Sequence, residues 1–426
     1  FIGLALGLIP ALQASRIEPQ QDLRQGSRRT TGAHRRTRGA LVVAEVALAL
    51  MLLVGSGLLL RSLQRLFAVS IGFDSSRLLT MQIQVSGHRF DADSTRFRFF
   101  DQALEAVRQV PGVSAAGFTS QLPLSGDVDE YGASFDPVPG KPAQGYSSFR
   151  YAVSPGYTAM MGIPLRQGRL LDEHDRAGAP PVALISESLA RQRFPGGDPI
   201  GHKISIGASD SPPYTIVGVV GDVKQMSLAL VQSEAVYMTA SQWRFADNVV
   251  SIVLRTRQDP MALAPAVRRA IWSVDKDQPV VRVATMDDLL TATAAERRFA
   301  MILFEAFALA ALVLAAAGIY GVLSGSVTER TREIGVRSAL GASRGAILAM
   351  VARQGMTLTT AGAIIGLIGA IAASQVLVTM LFGISRLDPV TYLGVVVLLL
   401  AVAALACWVP AWRAARIDPA ITLREE

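Results

Sequence analysis

The sequence predicts a multi-pass α-helical membrane protein with a two-lobed α+β domain inserted between its first and second transmembrane helices. Three observations carry this. Half of the 426 residues are hydrophobic and only 18% are charged, against roughly a quarter charged in soluble domains. Four stretches, residues 40–60, 299–323, 355–382 and 389–412, reach the ~20 apolar residues that a bilayer crossing needs. A single long polar stretch, residues 67–295, separates the first span from the second.

The last two spans contain no charged residue, and the first two contain one glutamate each, Glu45 and Glu305. Residues 1–14 are expected to be the tail of a transmembrane helix from a preceding unit, because the apolar run there is only half a span and lacks a basic start or cleavage site. On this reading the chain is a C-terminal fragment. Residues 15–39 form a cytoplasmic linker, 40–66 the first transmembrane helix, 67–295 the outer domain and 296–426 the membrane domain.

Charge supplies the orientation. The polar stretch holds 21 basic and 23 acidic residues, so the excess of the whole chain, 41 basic against 34 acidic, belongs to the membrane-flanking segments. Seven arginines fall in residues 16–38, five in 330–353 and three in 413–424. By the positive-inside rule these segments are cytoplasmic, and strict alternation of four spans puts them on one side. Arg61, Arg65, Arg297, Arg298 and Arg386 dilute the bias without reversing it. Topology accounts for the basic segments, so nucleic acid is not expected as a partner. The single cysteine, Cys407, cannot form an internal disulfide.

Residues 10–24 and 410–424 align at an offset of 400, with eight identities in fifteen positions. Each copy ends an apolar helix and enters the cytoplasm, which is the signature of a tandem duplication.

The ends of the outer domain read as two βαβ units. Strands at 78–85 and 113–120 flank a helix at 94–110, and strands at 249–256 and 280–284 flank a helix from Asp259-Pro260 to about 273. Asp259 is the N-cap and Pro260 the first helical position. Thr285-Met-Asp-Asp288 resembles a capping box. The middle, about 121–248, is richer in Gly, Pro and short strands and reads as an inserted second lobe.

Chemistry is sparse. No Gly-x-x-x-x-Gly-Lys-Ser/Thr is present to cradle a nucleotide phosphate. Gly341-Ala-Ser343-Arg-Gly345 matches a nucleophile-elbow pattern but lacks a preceding strand and a partner histidine, so Ser343 is expected to cap the following helix. Asp172-Glu-His174-Asp175 lacks the partner ligands a metal site would need and reads as a solvated loop. His34, His88 and His202 form no pattern with it. No catalytic residue, metal or cofactor is expected on this chain. Glu45 and Glu305, ionisable inside spans, are costly unless paired or facing water. Glu45 either makes a contact across the helix bundle or serves as a transmission element, or it snorkels to an interface about two turns away. Gly3-x-x-x-Gly7, Gly321-x-x-x-Gly325 and Gly362-x-x-x-Gly366 would allow close helix packing.

The informative segment is residues 328–343. Glu329, Glu333 and Arg337 follow i,i+4 spacing, Arg330, Glu333 and Arg337 share a face, and Val336 and Leu340 form an apolar stripe. A short amphipathic helix at about 327–342, held between two membrane helices, can dock a soluble partner or lie in the lipid interface.

This segment resembles the signature loop of the MacB/FtsX-type ABC transporter permeases, Glu-Arg-x-x-Glu-Ile-Gly followed by a basic residue and Ala-Leu-Gly-Ala. Glu329, Arg330, Glu333, Ile334, Gly335, Arg337, Ala339, Leu340, Gly341 and Ala342 fit, with Ser338 between Arg337 and Ala339. Residues 153–157, 161–169, 188–201 and 217–222 are similar to the MacB periplasmic core domain. Residues 41–50, with the repeat, resemble the duplicated orphan permeases of acidobacteria. The resemblance implies one transmembrane helix before the outer domain and three after it, in a bacterial plasma membrane. It implies that Glu329, Arg330, Glu333, Ile334, Gly335, Arg337, Leu340 and Gly341 form a coupling helix for a separate cytoplasmic ABC ATPase, which holds the ATP and Mg. The implied work is mechanotransmission that drives export or extrusion at the outer domain. Further partners are membrane lipids, a second permease unit, fused upstream or a homodimer copy, and an outer-facing protein. The alternative is a membrane-anchored regulator of a cell-wall hydrolase.

Overall fold

The computed structural model describes residues 30–136, 145–207, 212–230, 233–340 and 342–416. Two compact units result, residues 64–296 and residues 1–63 with 297–426.

In the polar unit the two βαβ segments interlock. Strands β1 (Leu78–Gln84), β2 (Val113–Thr119), β10 (Val249–Thr256) and β11 (Val280–Thr285) lie in the order β11-β1-β10-β2, every neighbour antiparallel. Each unit's two strands are therefore parallel to each other and separated by one strand of the other unit, a split βαβ arrangement. Helices α2 (Asp93–Arg108) and α5 (Pro260–Val274) bury Phe99, Phe100, Leu104, Val107, Leu263, Val267 and Ile271 against Leu79, Met81, Ile83 and Phe118 of the sheet. Asp259 caps α5 by accepting from Met261 N, and Thr285 with Asp288 forms a reciprocal capping box. The box opens α6 (Met286–Thr293), which ends at Ala294 instead of running on into the next span.

Between β2 and β10 the chain builds a second lobe with its own core. It comprises β3 (Glu130–Phe135), β4 (Tyr146–Val153), α3 (Tyr157–Met160), β5 (Leu165–Gly168), β6 (Val182–Ser186), α4 (Glu187–Arg193), β7 (Lys203–Ile206), β8 (Tyr214–Val220) and β9 (Ala235–Thr239). The strands run β4-β3-β7-β8-β6-β9, and β9 then pairs in parallel with β4, which closes the circuit. Closure leaves the six strands on this path no open edge to protect, while β5 lies off it and pairs with β8. Ile204, Ile206, Ile216, Val236 and Met238 fill the interior. The two lobes share one bridging strand pair, Thr119 with Val153.

The Asp172–Asp175 loop departs from a purely solvated reading. Asp172, Glu173 and His174 are exposed, but Asp175 is buried and accepts from Arg169 Nη1 at 2.7 Å and Nη2 at 2.8 Å. The Arg169 hydrogen bonds hold the Asp175 carboxyl below its ordinary value near 3.8, against an opposing pull from burial. Below that value the unfolded chain binds the extra proton first, so this contribution is complete above about pH 5 and fades as pH falls through the folded-state value. Asp175→Asn should remove it. Thermal midpoints of the detergent-solubilised chain between pH 6 and pH 3 should therefore fall less steeply in the variant than in the wild type; parallel curves would contradict this.

In the other unit, α1 (Thr30–Phe67), α7 (Ala295–Glu329), α9 (Arg344–Ala373) and α10 (Pro389–Ala414) are long and apolar enough to cross a membrane. The third span differs from the expected residues 355–382. Excluding Arg344 and Arg353 as charges pushed the expected start too far along the chain, whereas Ser343 caps a helix that begins at Arg344. The helix stops at Ala373, and the apolar residues 374–382 form turns and a short 3-10 segment. Half of α1's apolar window is buried against only 11% for α7, so α1 is the central helix. Val46, Leu50, Val54 and Leu58 of α1 form the core with Ile319 and Leu323 of α7, Ile347 and Val351 of α9, and Leu399 and Ala403 of α10.

Gly362 and Gly366 bring α9 against α1: a Cβ at Gly362 would lie 2.9 Å from Val43 O, and one at Gly366 would lie 2.9 Å from Ala47 O. Gly321 and Gly325 meet nothing within 4 Å, and Gly3-x-x-x-Gly7 lies outside the described residues. Gly362→Leu should force the helices apart at a cost of about 1–3 kcal/mol or more. A lower thermal midpoint in detergent would show it, with Gly321→Leu as the tolerated control. The repeat is likewise mostly outside the described residues, since 1–29 and 417–426 are not described.

Candidate functional site: the helix between the second and third spans

Helix α8 (Thr331–Ala339) sits between α7 and α9. Its start follows from local competition for backbone groups. The hydroxyl of Thr331 donates to Val327 O at 3.0 Å and Thr328 O at 2.9 Å, and that of Thr328 donates to Ser324 O at 3.0 Å. Such side-chain bonds offset the helical ladder and favour a break, and Arg330 N bonds back only three residues, to Val327 O. At the other end Ser343 accepts from Ala346 N, so it is the helix cap its position suggested. The break at Thr328–Thr331 and the Ser343 cap of α9 bound α8 on its two sides.

One side chain anchors α8. Ile334 is 1% exposed and belongs to the membrane-unit core with Val351, Leu323 and Ala411. Gly335 beside it is buried. Full burial of an isoleucine stabilises by about 1.5–3 kcal/mol, enough to hold a nine-residue helix that would not persist alone. Val336 and Leu340 form the apolar stripe expected from their spacing, but it faces outward, with Leu340 82% exposed.

The charged face is organised as the spacing implied. Glu333 accepts from Arg337 Nη2 at 2.6 Å, and Arg330 Nε lies 4.0 Å from its carboxylate. Arg337 Nη1 lies 3.0 Å from Met350 Sδ of α9. Glu329 is exposed at the end of α7. Gly341 lies outside the described residues, and Ala342 N bonds to Arg337 O at 2.9 Å. The surface thus combines a partly exposed ion pair with exposed Leu340 and Val336 on a helix seated by Ile334. Among the described residues it contains no nucleophile and base in contact, and it is suited to contact with another surface rather than to bond chemistry.

The two intramembrane glutamates do not come together. Glu305 is on the exposed face of α7, beside exposed Ile302, Phe307 and Leu309. Glu45 is half-buried on α1 and turned towards Gly318 of α7.

Some organising contacts escaped sequence reasoning. Arg61, counted only as a basic residue at an outer helix end, pairs with Asp388, which caps α10 by accepting from Thr391 N at 2.9 Å. The Asp388-Pro389 dipeptide is an N-cap signal that could have been read; its arginine partner, 327 residues away, could not. Next to that pair Ser62 Oγ accepts from Phe382 N at 2.8 Å. Among the described residues no group of three or more His, Cys, Asp and Glu side chains is placed to hold a metal ion.

Four bilayer-length helices, a two-lobed α+β domain between the first and second, and a short helix seated between the second and third define a multi-pass membrane protein of permease architecture. A family model described as MacB-like periplasmic core domain matches residues 40–272, and one described as FtsX-like permease C-terminal matches residues 305–419. The chain belongs to the MacB/FtsX-like family of ABC transporter permeases. It is 25% identical over 278 residues to the uncharacterised ABC transporter permease YknZ of Bacillus subtilis, covering 64% of this chain and 69% of that one. It is 26% identical over 292 residues to the macrolide export ATP-binding/permease protein MacB of Azoarcus, covering 65% of this chain but 42% of that protein. Among solved structures, the periplasmic region of MacB from Actinobacillus actinomycetemcomitans aligns with 55% of this chain and 97% of its own, at 14% identity and a TM-score of 0.35.

Proposed function

We propose that this chain is the permease subunit of a MacB/FtsX-type ABC transporter that transmits ATP hydrolysis on a separate cytoplasmic subunit to its polar domain, driving export or extrusion of a substrate. The observation that carries the reading is α8. Its Ile334 is locked into the same core as α1, α7, α9 and α10, while Leu340, Val336 and the Glu333–Arg337 pair remain outside that core. A push on the exposed face would therefore reach all four long helices through a close-packed interior, which deforms little.

The arginine-rich segments support a cytoplasmic side for α8 and an outer side for the polar domain in a bacterial plasma membrane. ATP and Mg belong to the partner ATPase on this reading, and a second permease unit and membrane lipids complete the assembly. The export role in the name of the relative MacB supports outward transport as the work done.

The test is an affinity pull-down of the full-length protein from detergent-solubilised native membranes, with bound proteins identified by mass spectrometry. A P-loop ATPase is the expected partner. Recovery of an outer-facing protein with no ATPase would overturn the reading in favour of a regulator of an extracytoplasmic hydrolase.

A further inference from the structure

Glu45 is a half-buried ionisable group for which transmission through α8 has no use. It lies on the central helix, within an apolar run of α1 that extends to Leu60. Its Oε2 is enclosed and has no hydrogen-bond partner among the described residues. A side chain snorkelling to the membrane surface would turn its carboxylate oxygens outward to water. Here the oxygen turns inward, to the backbone of α7. The receptacle is made by a missing side chain: a Cβ at Gly318 would collide with Glu45 Oε2 and lie 3.2 Å from Val42 Cγ2.

Among the described residues, the groups able to compensate a charge at this point are few. On α1, Arg38 lies two turns earlier and is exposed. On α7, Tyr320 accepts from Arg413 of α10 at 3.2 Å, and Glu305 is on the exposed face. On α9, Arg344 and Arg353 are exposed, and Gln354 is bonded to Ser326 at 3.1 Å. On α10, Cys407 faces Gly355. None of these is bonded to Glu45. An uncompensated carboxylate inside an apolar bundle costs far more than a neutral acid, which a proton provides.

We propose that Glu45, received by Gly318, is a proton-binding site in the membrane unit, occupied when α1 and α7 are packed as they are in this structure. These are the two helices that flank the polar domain in the chain. The neutral acid fits the contact without a counter-charge, and loss of the proton leaves an unpaired charge there that loosens it.

Linkage sets the sign of the test. If the packed state holds a proton that the unfolded chain releases near the ordinary glutamate value, stability falls as pH rises. Thermal unfolding of the full-length protein in detergent micelles is measured from pH 5 to pH 8 for the wild type, Glu45→Gln and Glu305→Gln. Glutamine reproduces the neutral acid without a titrating proton. The wild-type midpoint should fall with rising pH relative to Glu45→Gln, while Glu305→Gln should follow the wild type. Parallel curves for wild type and Glu45→Gln would overturn the proposal.

A chemical readout stands beside it. Dicyclohexylcarbodiimide reacts with protonated carboxyls in apolar surroundings, and membranes containing the full-length protein are treated with it at pH 6 and pH 9. Peptide mass spectrometry should find the adduct on Glu45, more at pH 6, and equal modification at both pH values would count against a proton-binding site. Gly318→Ala, which fills the receptacle, should change the reactivity of Glu45. An unchanged pH profile in that variant would overturn the role given to Gly318.

Discussion

Replacing Glu333 with lysine is expected to abolish recovery of the ATPase while the protein still inserts in the membrane. The wild-type carboxylate is flanked by Arg337 at 2.6 Å and Arg330 at 4.0 Å. Lysine removes both attractions and places a third positive charge between two others, so the patch around Arg330 and Arg337 loses its acidic centre. The stability cost is small, because partly exposed i,i+4 pairs contribute only about 0.3–0.5 kcal/mol. Binding should suffer much more, since a like charge set against a complementary surface costs several kcal/mol, which corresponds to a loss of at least a hundredfold in affinity. Gly335→Trp should have the same outcome by another route, because Gly335 is buried beside Ile334 and an indole there would unseat α8. Quantitative pull-down with membrane-fraction immunoblotting separates the two effects. Normal association in both variants would remove α8 from the coupling role.

The second large effect belongs to the polar domain. Arg150 of β4 is 2% exposed at its side chain, donates from Nε to Asp129 Oδ2 at 2.8 Å and from Nη2 to Asp247 Oδ1 at 2.7 Å. Its guanidinium also lies 4.8 Å from the ring centre of Trp243 and 5.5 Å from that of Tyr131. Asp129 stands just before β3 and Asp247 just before β10, so a single side chain ties together the chain's entry into the second lobe and its return. Arg150→Ala leaves two carboxylates facing each other without their cation. Breaking a buried ion cluster by removing one partner costs roughly 3–5 kcal/mol. At about 2–4 °C per kcal/mol for a domain of this size, the midpoint should drop by roughly 10 °C. Thermal unfolding followed by circular dichroism would show it. Asp247→Asn, which keeps a hydrogen-bonding oxygen, should cost less than half as much.

Both predictions rest on residues of which sequence reasoning had a different share. The i,i+4 charges of residues 329–337 are neighbours because a helix makes them so, and their pairing needed no other part of the chain. What spacing left open was which apolar residue points inward. Val336 and Leu340 formed the visible stripe, yet Ile334 is the buried anchor. A helix of nine residues has too few turns for its apolar direction to be unambiguous, and its inner face is chosen by where α1, α7, α9 and α10 present their core. Arg150 carried no signal at all, since its carboxylates are 21 and 97 residues distant.

What the sequence by itself determined is whatever is encoded within one helix or strand length. The four apolar stretches, the strands and helices of the two βαβ segments, the Asp259 and Ser343 caps and the Thr285 capping box all rest on side chains acting on backbone a few residues away. The tertiary structure alone decided how those pieces meet: the interlocking of two βαβ segments, the parallel β4–β9 pairing that closes the second lobe, the Arg61–Asp388 pair, and the turning of Glu45 towards Gly318. Partners such as β4 and β9 are selected by burial shared across more than eighty residues of chain, and a glycine's missing side chain has meaning only when a second helix arrives to use the space. Such choices minimise exposed backbone and buried charge over the whole molecule, so no local window of the sequence contains them.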